Sequence, residues 1–279
     1  MSSYILRIDC PDQKGLIHKV TGVLFRHGLN IITNHEFVDH KRDRFFMRTE
    51  FPAARLNARR IMGEIQRKLP AGTNVAVIRH RKKNIVIMAT KESHCLGDLL
   101  IRHAEGELAA RIQAVISNHP VLRKLTSKFS IPYHFLSDRG VTREKHEALI
   151  LHVLRRYRPE YIVMARYMRI LTPGFISKYE NRILNIHHSF LPAFIGQNPY
   201  RQAFERGVKI IGATAHFASR DLDEGAIIAQ SVIPVDHTHS VEDMTQAGRD
   251  IEKIVLARAL RLILEDRVFV SGNKTVVFD

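Results

Sequence analysis

A short polar motif, Asn-Ile-His-His-Ser-Phe-Leu-Pro from Asn185 to Pro192, contains the residue types and spacing needed to polarise a carbonyl group. It follows a short apolar run and ends at a proline, which predicts the end of a buried strand opening into a loop. In open α/β sheets, reactive residues usually lie at such strand ends. Asn185 and His187 are two residues apart and therefore point to the same face of a strand. One side chain offers an amide donor, and the other is a titratable acid or base.

Apolar runs that alternate with helical patterns surround this motif and predict the sheet that positions it. From residue 84 onward, such runs cover 84–89, 112–116, 131–135, 161–165, 182–185, 213–217 and 226–232. Helical patterns lie between some of them, at 146–156 and 200–206. The alternation predicts an α/β fold with a mostly parallel, Rossmann-like sheet and helices on both faces.

The loop after the first apolar run contains Lys91, Ser93, His94 and Cys95, with only one glycine, Gly97. A single glycine does not form the phosphate-binding turn of a dinucleotide site, so no such cofactor is expected. Cys95 beside His94 is a candidate nucleophile, and the alternative is a buried, inert cysteine.

A second loop, 165–173, follows the strand predicted at 161–165 and mixes apolar side chains with free backbone groups. An apolar slot with main-chain hydrogen-bonding groups suits a flat heteroaromatic ligand. The loop therefore predicts a substrate-binding site that contains Met168, Arg169, Ile170 and Leu171. The alternative is that Met168, Ile170 and Leu171 are core residues.

The first 80 residues show the order strand, helix, strand, strand, helix, strand. This βαββαβ order resembles the ACT domain, a ferredoxin-like regulatory module, and the turn before Gly15 resembles that family's first turn. The resemblance implies an amino-acid effector site where free helix N-terminal amides meet a carboxylate. The candidate effector-binding residues are Asp12, Gly15, Leu16, Asn30 and Ile31. The alternative is that Asp12 and Gly15 form only a turn and a helix cap.

Charge and cysteine content restrict the class of protein. The formal net charge is +15, and residues 1–83 contribute 17 basic and 7 acidic side chains to it. The basic runs lack interleaved aromatic residues, which favours a solvated face over a nucleic-acid site. Two cysteines far apart in the sequence indicate a reduced, cytoplasmic protein. Charged residues in the first apolar run fit neither a signal peptide nor a membrane span.

Several ordered motifs in the second part resemble the folate-dependent formyl-transfer enzymes. They are Asn185–Pro192, the segment Ala193–Tyr200, the Gly-Ala-Thr-Ala-His-Phe stretch from Gly212, the Asp-Leu-Asp-Glu-Gly stretch from Asp221 and the Ala-Arg-Tyr-Met-Arg-Ile-Leu-Thr-Pro loop. These motifs cover roughly residues 84–279. Together with the ACT-like part, the pattern is most similar to the hydrolytic members, the formyltetrahydrofolate deformylases. Ala226 is a departure, because proline is common there in the family, and it puts the rigidity of that loop in doubt.

The resemblance implies roles for individual residues. Hydrolysis of a formyl group passes through a tetrahedral oxyanion, which needs hydrogen-bond donors and a proton carrier. Asn185 and His187 are expected to stabilise the oxyanion, while Asp223 deprotonates the water or tunes His187. His216 and His94 are candidate substrate-binding residues, and His188 is expected to have a supporting role. A metal site formed by His187, His216 and Asp223 is the alternative, although the sequence lacks the short spacing typical of such sites.

The predicted function is hydrolysis of 10-formyltetrahydrofolate to tetrahydrofolate and formate, which supplies formate for purine synthesis and balances one-carbon pools. Water is the expected acceptor because a phosphate-binding loop for another acceptor is missing. The alternatives are a formyltransferase with an amine acceptor and an ACT-regulated, basic nucleic-acid-binding protein. No cofactor or metal is expected.

The expected domains are residues 1–80 for regulation and oligomerisation, 81–83 as a basic linker, and 84–279 for catalysis. The expected partners are the folate substrate, glycine or methionine as an effector, and further copies of the chain. Neither a membrane nor a nucleic acid is an expected partner.

Overall fold

The computed structural model describes residues 2–193 and 199–279, which form two units. One unit contains the chain up to Arg81 together with Glu265–Phe269 and Val276–Asp279, and the other contains Lys82–Leu264 and Val270–Thr275. The motif segment after Ala193, residues 194–198, lies outside the described residues. None of the helices within the described ranges is long and apolar enough to cross a membrane.

The first unit has the predicted βαββαβ order, which is confirmed. Its elements are β1 (Ser2–Pro11), α1 (Leu16–Arg26), β2 (Thr33–Asp39), β3 (Arg44–Ala53), α2 (Ala58–Lys68) and β4 (Asn74–Arg79). The strands form an antiparallel sheet in the order β2-β3-β1-β4. The apolar faces of both helices, including Val23 and Ile61, are buried in one core with sheet residues such as Leu6 and Met47. Burial of these amphipathic faces stabilises the unit.

The second unit is built on a seven-stranded sheet in the order β11-β10-β9-β8-β5-β6-β7. Its strands are β5 (Lys83–Ala89), β6 (Ala110–Ser117), β7 (Tyr133–Phe135), β8 (Tyr161–Met164), β9 (Ile183–His187), β10 (Ile210–Phe217) and β11 (Ile227–Pro234). Strands β5 to β9 are parallel to their neighbours within that group, whereas β10 is antiparallel to both β9 and β11. The predicted mostly parallel sheet is confirmed.

Helices cover the sheet, as the sequence predicts. They are α3 (His94–Ala104), α4 (Arg123–Ser127), α5 (Arg143–Tyr157), α6 (Pro173–Ile176), α7 (Pro199–Arg206) and α8 (Val241–Leu264). Val86 and Met88 of β5 share a buried cluster with Ile150 and Leu154 of α5. The alternate residues of β5 point to the other face, and α8 packs against α3 and along β9, β10 and β11. The carboxyl ends of the parallel strands therefore meet at one edge, where the loops after β5, β8 and β9 lie.

The C-terminal part of the chain contains a hairpin of β12 (Val268–Ser271) and β13 (Lys274–Val277). The predicted second domain, 84–279, differs from the structure here, because two C-terminal segments belong to the first unit. Phe269 packs edge-on against Phe46 with ring centroids 5.7 Å apart, and the Arg7 guanidinium lies 4.1 Å from the Phe269 ring centroid. These contacts bury the outer face of β3. The residues before position 265 do not have the composition of a linker, so this boundary could not be predicted from the sequence.

Candidate active site

Asn185 and His216 form a cross-strand pair at the carboxyl end of β9. They are register partners in the antiparallel β9–β10 ladder, and Asn185 Nδ2 lies 3.1 Å from His216 Nε2. His216 Nδ1 donates to the carbonyl oxygen of Phe217 at 3.0 Å. Since a carbonyl can only accept, the proton is on Nδ1 and His216 Nε2 accepts from the Asn185 amide. This contact fixes the orientation of the Asn185 amide and leaves its second N–H for another acceptor.

The His216 imidazole is neutral in this arrangement. Burial lowers its pKa below the ordinary value of 6.5, and the opposing effects of the Phe217 carbonyl and of Asp223 do not cancel that shift. The side chain is 2% exposed. A neutral, buried imidazole with both nitrogens bonded does not carry protons to a substrate, so His216 positions Asn185.

His187 and Asp223 form the second pair of the site. His187 Nδ1 lies 3.3 Å from Asp223 Oδ2, whereas His216 Nε2 lies 3.7 Å from Asp223 Oδ1. Burial alone raises the pKa of the Asp223 carboxyl, but the hydrogen bond with His187 and the electrostatic effect of the nearby histidines outweigh it. The net shift is below the ordinary value of 3.8. Asp223 is therefore an ionised carboxylate that holds the proton of His187 on Nδ1.

The second nitrogen of His187 is available for chemistry. His187 Nε2 is buried and has no hydrogen-bond partner among residues 2–193 and 199–279. Buried polar atoms normally have a partner, because an unpaired one costs about 1–3 kcal/mol. An orphaned imidazole nitrogen beside a cavity is typical of a group that bonds to a ligand or to water.

The loop that carries Asp223 has a tightly fixed backbone. Asp223 has φ of 58°, a left-handed conformation that aspartate tolerates better than most residues. Gly225 leaves no room for a side chain, since a Cβ there would lie 1.6 Å from the carbonyl oxygen of Phe217. The loop therefore packs directly on the end of β10, and this contact places the carboxylate beside His187.

Thr214 holds the segment after β9. Its hydroxyl donates to the carbonyl oxygen of Ser189 at 2.9 Å and accepts from the backbone N–H of Leu191 at 3.0 Å. Gln230 Nε2 donates to the same hydroxyl oxygen at 2.9 Å. These bonds to backbone atoms fix the turn that follows His187.

A cavity of about 300 Å³ lies against these side chains. Its wall includes Asn185, His187, His216 and Asp223 together with Met168, Arg169, Ile170 and Leu171. The structure thus brings together the candidate catalytic residues and the predicted loop. Met168 and Ile170 are 58% and 50% exposed, whereas Leu171 is buried in the core, so the core alternative applies to Leu171 alone.

His94 does not line this cavity, in contrast to the prediction that it binds substrate. Its Nε2 lies 2.7 Å from Glu252 Oε2, within a buried cluster behind the wall. Cys95 is fully buried, and burial raises the pKa of its thiol far above the ordinary value, which makes it an inert thiol. His94, Cys95 and Glu252 have ligand atoms within 4.8 Å of one another. The protonated thiol and the existing partners of Glu252 favour a charge network over a metal site.

The sequence did not reveal this charge network, which consists of Glu92, His94, Arg166, Tyr200 and Glu252. Arg166 Nε donates to Glu92 Oε2 at 2.7 Å and lies 3.5 Å from Glu252 Oε2. Tyr200 donates its hydroxyl to Glu252 Oε1 at 2.7 Å. One signal of the network in the sequence was the acidic residue Glu252. Val255 and Leu256, three and four residues later, place it on the apolar face of α8.

His188 lies between the reactive histidine and this network. Its ring centroid lies 5.1 Å from that of His187 and 6.2 Å from that of Tyr200. Burial, together with the positive charge of Arg166, lowers the pKa of His188 to about 4. His188 is therefore neutral at pH 7, consistent with a supporting role.

The low pKa of His188 predicts a pH-dependent stability. Between pH 4 and 6.5 the unfolded chain binds a proton that the folded chain does not, so acid favours unfolding. For wild type we expect this residue to lower the free energy of unfolding by about 2 kcal/mol between pH 7 and pH 5. His188→Gln should remove that part of the pH dependence in urea titrations at the two values. An identical pH dependence in both proteins would contradict the assignment.

The predicted effector positions lie in the first unit. Gly15 precedes α1 with φ of 82°, and no side chain among the described residues caps that helix. Asp12 donates its backbone N–H to the carbonyl oxygen of Asp43 at 3.0 Å. Leu16 is buried, whereas Asn30 is exposed and Ile31 half-buried just before β2. The first turn of α1 therefore presents backbone amides without a side-chain cap.

Comparisons with known proteins show which family the chain belongs to. A formyl transferase family model matches residues 83–260, and an ACT domain model matches residues 4–60. The formyltetrahydrofolate deformylases of Haemophilus influenzae and Escherichia coli K12 are 53% and 52% identical over 273 residues. The matches cover 98% of this chain in both cases and 98% and 97% of those proteins.

Solved structures give the same result. A formyltetrahydrofolate deformylase from Pseudomonas syringae has a TM-score of 0.96 at 42% identity, covering 100% of this chain and 95% of that one. Glycinamide ribonucleotide transformylase 1 from Symbiobacterium toebii has a TM-score of 0.68 at 30% identity, covering 75% of this chain and 100% of that one. With full-length similarity to the first group and partial similarity to the second, the chain belongs to the formyltetrahydrofolate deformylase family.

Proposed function

We propose that this protein hydrolyses 10-formyltetrahydrofolate to tetrahydrofolate and formate at the cavity formed by Asn185, His187 and Asp223. The observation that carries the proposal is the orphaned Nε2 of His187, a residue that lines the cavity and whose Nδ1 faces an ionised carboxylate. Full-length relatives are named for the same substrate. A base of this kind suits hydrolysis, because water needs only a proton acceptor to become a nucleophile.

The substrate is held by the Met168–Leu171 loop. The exposed side chains of Met168 and Ile170 form an apolar wall for the flat pterin ring. Arg169 Nη1 forms an ion pair with Asp138 Oδ2 at 3.1 Å, and this pair keeps the loop at the cavity mouth. This binding directs the formyl group at N10 toward the end of β9.

The chemistry uses one water molecule. His187 Nε2 accepts a proton as the water oxygen forms a bond to the formyl carbon, and the second N–H of Asn185 stabilises the resulting oxyanion. Asp223 stabilises the imidazolium through Nδ1. The C–N10 bond then breaks, His187 returns its proton to N10, and the formic acid product loses its own proton to water. No covalent enzyme intermediate is formed, and the scheme requires neither a metal nor an organic cofactor.

A formate-release assay tests this function directly. Purified protein is incubated with 10-formyltetrahydrofolate, and formate and tetrahydrofolate are quantified before and after dialysis against a chelator. We expect equimolar products and an unchanged rate after dialysis. Absence of formate release would refute the function. Loss of activity on chelation, with restoration by one metal, would instead refute the metal-free scheme.

The first unit is proposed to bind glycine or methionine and to join copies of the chain into a homo-oligomer in the cytoplasm. The uncapped first turn of α1 offers amides for the carboxylate of an amino acid. Asn30→Ala is expected to weaken binding by about tenfold, equivalent to the loss of one hydrogen bond to a charged group of about 1.4 kcal/mol. Calorimetric titration with each amino acid measures this change, and Asn74→Ala on β4 is the control. Equal affinity in the Asn30 variant and wild type would place the effector elsewhere.

A further inference from the structure

The sheet of the second unit has a topological switch point between β5 and β8. From β5 the chain proceeds to β6 and β7 on one side, and it returns to β8 on the other side. In open α/β sheets the crevice outside the carboxyl ends of such strands is the usual ligand site. The loops that border this crevice begin at Thr90 and Ala165.

Backbone contacts close this crevice in the present chain. Thr90 donates its backbone N–H to the carbonyl oxygen of Arg166 at 3.2 Å, and Met168 donates its backbone N–H to Thr90 Oγ1 at 3.0 Å. The carbonyl oxygen of Thr90 accepts from Ser117 Oγ at 3.1 Å. The two loops are therefore joined to each other where an open crevice would separate them.

Charged side chains of the network fill the space beside these bonds. The Arg166 side chain is 8% exposed and Glu252 is 1% exposed, whereas Glu92 is 35% exposed at the rim. Glu252 uses one oxygen for the hydroxyl of Tyr200 and the other for His94 and Arg166. A carboxylate with both oxygens occupied and an adjacent guanidinium form a stable buried group.

The network also touches the reaction site. Arg166 lines the same cavity as His187 and Asp223, and the Tyr200 ring contacts His188, the next residue along from His187. An acceptor approaching the formyl carbon from the switch point would meet the Arg166 side chain, which Glu92 and Glu252 hold in place. Burial raises the pKa values of Glu92 and Glu252, but the bonds with Arg166 and His94 hold both below the ordinary value. Both groups are therefore ionised and hold the Arg166 guanidinium in its position on the cavity wall.

We infer that Glu92, Arg166 and Glu252 are specificity-determining residues that fill the acceptor side of the site and leave room for water alone. The inference rests on the proposed hydrolysis. It explains how one fold can serve a deformylase in this family and a transformylase among its structural neighbours. In this chain, Arg166 and its two carboxylate partners occupy the space that an amine acceptor would need.

A double variant tests the inference. Glu92→Ala with Arg166→Gly removes the rim carboxylate and the guanidinium, and glycine suits the φ of 61° at position 166. Glu252 keeps its bonds to His94 and Tyr200 in this variant. The protein is incubated with 10-formyltetrahydrofolate and glycinamide, and N-formylglycinamide and formate are measured together by mass spectrometry. We expect the ratio of formylated amine to formate to rise at least about tenfold over wild type, which corresponds to about 1.4 kcal/mol.

Two further variants keep the test decisive. Glu92→Ala alone changes a partly exposed side chain, so it can be measured even if the double variant fails to fold. This single variant should give a smaller rise in the ratio. Arg201→Ala with Glu205→Ala removes an exposed ion pair on α7 and should keep the wild-type ratio. An unchanged ratio in folded Glu92→Ala and in the double variant would overturn the inference. Absence of formate from wild type would instead overturn the proposed function.

Discussion

Replacement of Asp223 by asparagine is expected to lower kcat for formate release by about 10³- to 10⁴-fold with little change in KM. The amide keeps the size of the side chain, and asparagine tolerates the left-handed backbone found at this position, so the loop is retained. The negative charge that faces His187 Nδ1 is lost, and an amide N–H can favour the tautomer with its proton on Nε2. In that tautomer Nε2 already carries a proton, so His187 cannot accept one from the attacking water.

Single-turnover formate release measures the Asp223→Asn effect without interference from product dissociation. Asp221→Asn is the matched control, since Asp221 lies two residues earlier in the same loop and outside the cavity wall. We expect that control to remain within about twofold of wild type. An Asp223→Asn enzyme within about tenfold of wild type, with unchanged folding, would exclude a role for the carboxylate in proton transfer.

The largest effect on stability is expected for Glu252→Ala. Glu252 is 1% exposed and bonds to His94, Arg166 and Tyr200. Its removal leaves a buried guanidinium whose remaining ionic partner, within residues 2–193 and 199–279, is Glu92. Breaking a buried ion pair by deleting one partner costs about 3–5 kcal/mol. For a unit of this size that cost lowers Tm by roughly 10 °C.

Thermal unfolding followed by circular dichroism measures the Glu252→Ala change. Glu205→Ala is the matched control, because Glu205 pairs with Arg201 on α7 and both side chains are more than half exposed. An exposed pair of this kind contributes about 0.3–0.5 kcal/mol. If the Glu252 variant unfolds within about 2 °C of wild type, the network contributes little to stability.

Local geometry explains which parts of the site the sequence could reveal. Asn185 and His187 could be predicted from the sequence, because two residues with a spacing of two at a strand end lie on the same face. The role of Met168 and Ile170 could also be predicted from the sequence, because apolar side chains in a loop after a strand are typical of a ligand-binding wall. The role assigned to Asp223 came from the resemblance, since its distance to His187 depends on a left-handed turn that no residue spacing encodes.

Long-range contacts explain what the sequence did not reveal. His94 was expected in the substrate site, but its partner Glu252 is 158 residues away on α8. The pairing of Arg166 with Glu92 likewise joins two loops 74 residues apart. Periodicity predicts which face of a helix is buried, but it does not identify which buried charges meet. The same applies to Phe269, whose packing on Phe46 follows from tertiary structure alone.

The distribution of the first unit over both ends of the described chain has a consequence for biosynthesis. The ribosome makes β1 to β4 early, but Phe269 and Phe278, which cover Phe46, emerge only after the whole seven-stranded sheet has been translated. Domains generally fold as units while the chain is being made, at about 5–20 residues per second. The nascent first unit therefore spends roughly ten seconds or more with one aromatic face uncovered.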